Sequence, residues 1–155
     1  MIQTRVRAAR PWLVVLLCPL SAGILRAQAV APPLPPVDPR ISHVVTGGHW
    51  RAGDQEGGFR AVVLSAGFEH VISHLYIEWV SDETETAAAR VVASKAVDTV
   101  SAGGWSLGSP RLSRDDGQWH VAVDGVNSHF DPPRRGRWIV TVGAPGIVSV
   151  RRAPP

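Results

Sequence analysis

Cysteine is nearly absent. The 155 residues contain one, Cys18, in the leader described below. The remainder of the chain therefore forms no disulfide and offers no thiolate for catalysis or metal binding. No Gly-x-Ser-x-Gly elbow occurs, and no glycine-rich phosphate or dinucleotide fingerprint. Paired carboxylates for glycoside chemistry are also missing: Glu69 and Glu78 leave one hairpin at different ends, and Asp115-Asp116 belong to a turn. The apolar run at residues 12–20 (WLVVLLCPL) is shorter than the about 20 residues a membrane-spanning helix requires.

Excess charge is the next absence. The chain has 16 Lys+Arg against 13 Asp+Glu, formally +3. Arg5, Arg7, Arg10 and Arg26 lie in the leader, which holds no acid. Without it, 12 bases face 13 acids, formally −1, so the bulk charge that draws a protein to nucleic acid is lacking.

What is present begins with that leader. A basic start, an apolar middle and Ala27-Gln28-Ala29 read as a signal peptide over residues 1–29, cleaved after Ala29. Residues 30–40 follow as a proline-rich tether. Its VAPPLPPVDP has five prolines and cannot join a sheet interior, because proline lacks the donor N–H. A single domain is expected over residues 41–152, with a frayed tail at 153–155; that length suffices for one core without disulfides.

The domain reads as β throughout. Its centre is GGFRAVVLSAGFEHVISHLYIEWVSD, residues 57–82, where two apolar runs at 59–66 and 70–80 flank Gly67. The first is apolar on both parities after Arg60, the mark of a strand covered on both faces. The second alternates, with Val71, Ser73, Leu75, Ile77 and Trp79 facing a core. A short strand is expected at 41–46, a turn-rich connection at 51–58, an acidic loop at 81–86 and a long strand at 87–100. Further strands are expected at 105–112, broken at Pro110, then at 118–126, 137–143 and 147–151, with hairpin turns at Arg114-Asp115-Asp116-Gly117 and Ala144-Pro145-Gly146. Seven or eight short strands at this spacing predict an all-β antiparallel sandwich or small barrel.

The run GGHWRAGDQEGGFRAVVLSAGFEHVISHLYIEWV, with the later HFDPPRRGRW, resembles small exported bacterial proteins of unassigned function. The resemblance implies an exported β domain and brings no catalytic or binding residue with it.

Candidate chemistry lies in three groups. His70 and His74 are four apart, about 13 Å on a strand, too far to share one ion; His49, Glu69, His129 and Asp131 would have to join by tertiary contact. Trp79, Trp119 and Trp138 fall on core parities, whereas Trp50 and Trp105 follow glycine-rich turns and, with His74 and Tyr76, form a candidate stacking platform for a sugar or peptide. Arg134, Arg135 and Arg137 follow Pro132-Pro133 in the loop at 127–136 and are candidate anion ligands. The alternative for these arginines is a solvated loop in which Asp131 bonds one of them. No metal and no cofactor is expected. The reading is of an exported, periplasmic or secreted, non-enzymatic β domain with a binding, assembly or envelope-associated role. Its partner class is an envelope component, an anionic glycan or a protein, not nucleic acid. The alternatives are a carbohydrate-binding module and a metal-dependent envelope enzyme built on His49, Glu69, His70 and His129.

Overall fold

The computed structural model describes residues 37–154; the signal peptide expected at residues 1–29 and residues 30–36 of the expected tether lie outside the described residues. The chain forms β1 (Ile41–Ala52), β2 (Gln55–Ala66), β3 (Ile72–Ser81), β4 (Val91–Ala96), the helical turn α1 (Asp98–Ser101), β5 (Ser106–Leu107), β6 (Arg111–Asp115), β7 (Gln118–Asn127), β8 (Arg134–Val142) and β9 (Val148–Ala153). These make two antiparallel sheets. One has the order β1-β2-β3-β4; the other has the order β5-β7-β8-β9, with β6 also on β7. Both sheets keep open edges, so the fold is a sandwich and not a closed barrel, with nine strands among the described residues where seven or eight were expected.

The central hairpin forms as its alternation predicts. Ser73, Leu75, Ile77 and Trp79 are fully buried, and β2 pairs with β3 in continuous register from Gly57↔Ser81 to Ala66↔Ile72. Val71, placed on that face by parity, lies in the loop before β3 and is exposed. On β2, Ala61 and Val63 face the core while Val62, on the opposite parity, is also buried, as expected of a strand covered on both sides. From the second sheet, Val121, Val123, Trp138, Val140 and Val142 meet this face, each apolar side chain stabilising by about 1.5–3 kcal/mol when fully buried.

The sheets are also joined by polar bonds. Trp79 Nε1 donates to the Gly143 carbonyl at 3.0 Å. Ser73 N donates to the Trp105 carbonyl at 2.8 Å, and its Oγ accepts from Leu107 N at 3.1 Å. Ser73 is thus a buried polar residue that is fully bonded, which removes the penalty its hydroxyl would otherwise incur.

Three expectations about boundaries are corrected. The strand at 41–46 runs on to Ala52 through a bulge between Gly47 and Trp50, and the residues at 51–58 are strand around a tight turn at Gly53-Asp54. Polar residues are tolerated there because β1 is an edge strand, where Arg51 and Glu56 pair across the ladder. The strand at 87–100 shrinks to Val91–Ala96. Beyond it, Val97 and Val100, three apart, turn together into the core through α1, and Ser101 Oγ bonds back to the Val97 carbonyl. The loop at 127–136 ends early, because Arg134 already opens β8.

The turns follow their chemistry. Asp116 and Gly117 both have positive φ (47° and 76°), the twist-matched pair a two-residue hairpin requires. At the domain's start, Arg40 bonds Asp38 and holds its carboxyl down to about 2, while the Arg40 carbonyl accepts from Ser65 N. The last residues of the proposed tether are therefore a turn docked on β2. At the other terminus, Ala153 continues β9 rather than fraying.

Candidate functional site

The outer face of the five-stranded sheet can be written from its register. One cross-strand row reads Arg111, Ala122, Ile139, Arg151; the next toward the β7–β8 loop reads Asp124, Arg137, Ala153; the last reads Ser106, Val126, Arg135. Alternation places these residues outward because their neighbours Val121, Val123, Trp138 and Val140 are buried. These three rows thus hold four arginines and one carboxylate, with Asp115 further along the same face at the end of β6.

Asp124 is the hub of that face. Its Oδ1 accepts from Arg137 Nε at 2.6 Å, and its Oδ2 accepts from Arg111 Nη2 at 2.7 Å. The Arg137 bond, then the Arg111 bond, lowers the Asp124 pKa; the same contact with Asp124 raises that of Arg137. Arg137 donates only through Nε, so its two terminal nitrogens have no protein acceptor among the described residues. Arg135 makes no ion pair among the described residues. Both arginines line a cleft of about 250 Å³ with Ser106, Gly108, Asp124, Gly125, Val126 and Gly136. Gly125 and Gly136 are cross-strand partners, and a Cβ on Gly136 would stand 2.5 Å from the Trp138 ring. The ring lies directly beneath the strand that carries the two arginines.

Arg134 lies apart from this pair. Its Cζ stands 3.7 Å over the Phe130 ring, a cation–π contact across the loop at 128–133. Asp131, offered as an arginine's partner, makes no ion pair among the described residues; Asp124 takes that role. The loop is anchored by buried Asn127, whose Nδ2 donates to the Gly103 carbonyl and whose Oδ1 accepts from His129 N at 3.0 Å. The anchor sets His129 against His70 of the β2–β3 loop, with ring centroids 4.6 Å apart.

The other expected sites do not assemble. Trp50 is buried, 5% exposed, with Nε1 bonded to the Gly58 carbonyl at 2.7 Å. Trp105 is 9% exposed, edge-on to Trp138 at 4.9 Å, and both rings lie under Arg152. The register puts Trp50 level with Ser81 and Trp105 level with Ser73, about 26 Å apart along β3. They close opposite ends of the core. His74 and Tyr76 are on the outer face of the four-stranded sheet, so no four-residue platform exists. His49 is 3.9 Å from Glu56, at the end of the sandwich away from His70 and His129. No group of three or more metal-ligating side chains occurs among the described residues.

Asp124, Arg111 and Asn127 went unmarked in the sequence. Asp124 lies on the outward parity of an alternating strand, but only the β7–β8 and β6–β7 registers bring it to two arginines. No family model, no curated protein and no solved structure matches this chain.

Proposed function

We propose that this protein is an exported, non-enzymatic domain that binds an anionic envelope component through the arginine-bearing face of its five-stranded sheet. The observation that supports this reading is Arg135, a guanidinium with no acidic partner among the described residues, beside the unengaged terminal nitrogens of Arg137 on one cleft. Guanidinium matches carboxylate and phosphate in a planar, bidentate way. The face selects locally, because the formal net charge without the leader is close to zero. Asp124 spaces and orients Arg111 and Arg137 without cancelling them, since the face carries four arginines against Asp124 and the more distant Asp115.

The test is binding of the chain from Val30 to Pro155 to polygalacturonate at low and high salt. The expected result is salt-sensitive binding that weakens and loses salt dependence when Arg134 and Arg135 are both replaced by Ala, with thermal unfolding unchanged. Binding that is absent, or equal in the double variant, overturns the reading.

A further inference from the structure

Of the nine exposed large apolar side chains among the described residues, five gather at one end of the sandwich. Phe68, Val71 and Ile72 come from the β2–β3 loop and its exit, and Val126 and Phe130 from the end of β7 and the loop after it. The His70–His129 contact brings these two loops to the same end of the sandwich. Phe68 is 98% exposed at a hairpin tip and Phe130 is 40% exposed, though burial of a single Phe is worth about 2–3 kcal/mol. Scattered surface apolar residues need no explanation; five at one end do.

We propose that this end is a docking tip for a bilayer surface bearing anionic phospholipid, with Phe68 and Phe130 entering the headgroup boundary and Arg134 and Arg135 taking lipid phosphates. This deepens, and rests on, the reading of an anionic envelope partner. Shape and charge choose the occupant. Phe68 projects almost wholly exposed from a hairpin tip, so a rigid protein partner would need a matching hollow, whereas a lipid interface conforms to it. Aromatic side chains favour that interface, and arginines beside them add attraction to anionic headgroups. Arg134, already stacked on Phe130, would be carried to phosphate depth as the ring enters. Glu69 and Asp131 flank the two phenylalanines in sequence. Their charge opposes adsorption, so the apolar contacts and the arginines are both needed for binding, and the arginines supply the preference for anionic lipid.

The experiment is flotation of the chain from Val30 to Pro155 with vesicles of phosphatidylcholine, with or without phosphatidylglycerol. Polygalacturonate binding is measured in parallel. The wild type is expected to float with phosphatidylglycerol vesicles and hardly at all with phosphatidylcholine alone. Phe68→Ala should weaken vesicle binding about tenfold, since an inserted ring is lost, while polygalacturonate binding is unchanged. Phe68→Trp should restore vesicle binding. The wild-type side chain is almost wholly exposed, so Phe68→Ala should melt with the wild type, which separates docking from folding. Equal floating of Phe68→Ala overturns the proposal. So does a wild type that binds polygalacturonate but no vesicle, an outcome that leaves the anionic-partner reading standing. Binding to neither overturns both. Self-association abolished by Phe68→Ala, without vesicle binding, overturns the proposal in favour of a second copy of the chain.

Discussion

On the outer face of the four-stranded sheet, Val44, Val62, Leu64, Tyr76 and Val80 share the surface with two cross-strand ion pairs, Arg60 to Glu78 at 2.6 Å and Arg51 to Glu56. On the outer face of the five-stranded sheet, Arg111, Arg135, Arg137 and Arg151 share the surface with Asp124, which pairs with Arg111 and Arg137. The two sheets share one core and the same alternation, yet they spend their outward positions differently. The first covers Val62 to 7% exposure with neighbouring side chains, so its outer residues still add to stability. The second gives its outward positions to groups that remain solvated and contribute little to folding, because exposed ion pairs are worth about 0–1 kcal/mol. A face that stability does not require is one on which charge can serve binding.

Five variants sharpen or break that contrast, here from the largest effect on stability to the smallest. Trp79→Ala strikes what the sheets share. The ring is fully buried and its Nε1 bonds Gly143 across the sandwich, so chemical denaturation should show a loss of about 3–5 kcal/mol. A loss under about 1 kcal/mol would mean that the sheets are not joined there.

Val62→Ala tests the first outer face. A buried valine losing two methyl groups should cost about 1.5–2.5 kcal/mol while leaving anion binding untouched. Tyr76, on the same face, is half-buried rather than free, so Tyr76→Ala should also cost measurably, more than its outward parity alone implies. If either variant unfolds like the wild type, the first face is only surface.

Asp124 tests the second face through pH. Its folded pKa is depressed below the ordinary 3.8 by Arg137 first and Arg111 second. Its contribution is therefore present above pH 3.8 and lost as pH falls through the depressed folded value. Solvent screening keeps that contribution to about 0.5–1 kcal/mol. Asp124→Asn should flatten the acid limb of the stability curve by that amount. It should also strengthen polygalacturonate binding at neutral pH, since Arg111 and Arg137 lose their counter-charge. Weaker binding by Asp124→Asn would mean that the carboxylate's main role is to hold the arginines in place.

The double change Arg134→Ala, Arg135→Ala should shift stability least, within about 0.5 kcal/mol, and binding most. A destabilisation above about 1 kcal/mol would show that these arginines belong to the fold.

Much of the domain was legible in the chain. The hairpin about Gly67, the buried row Ser73, Leu75, Ile77 and Trp79, the Asp116-Gly117 turn and the inward Trp138, Val140 and Val142 all follow from local pattern. Each is written in neighbouring residues: a period of two, or a turn that demands positive φ. Misreadings arose where neighbours mislead. The polar stretch after Trp50 resembles a loop because an edge strand tolerates charge, and the valines at 97 and 100 resemble a strand because β-branched residues favour one, although a spacing of three turns both to one side only in a helical turn.

Of the candidate site, the residue types could be read but not the company they keep. Arg134, Arg135 and Arg137 announce themselves by proximity in sequence. Their different circumstances, one stacked on Phe130, one unpaired among the described residues and one held by Asp124, depend on strand register and loop closure between segments up to 13 residues apart. Trp50 and Trp105 carry the same lesson. A tryptophan after glycines gives no hint whether it faces water or closes a core, because that depends on what the opposite sheet leaves open. Local sequence determines parity and turn; only the packed sandwich decides which side chains meet, because a meeting is set by the register between strands and not by the order of residues within one.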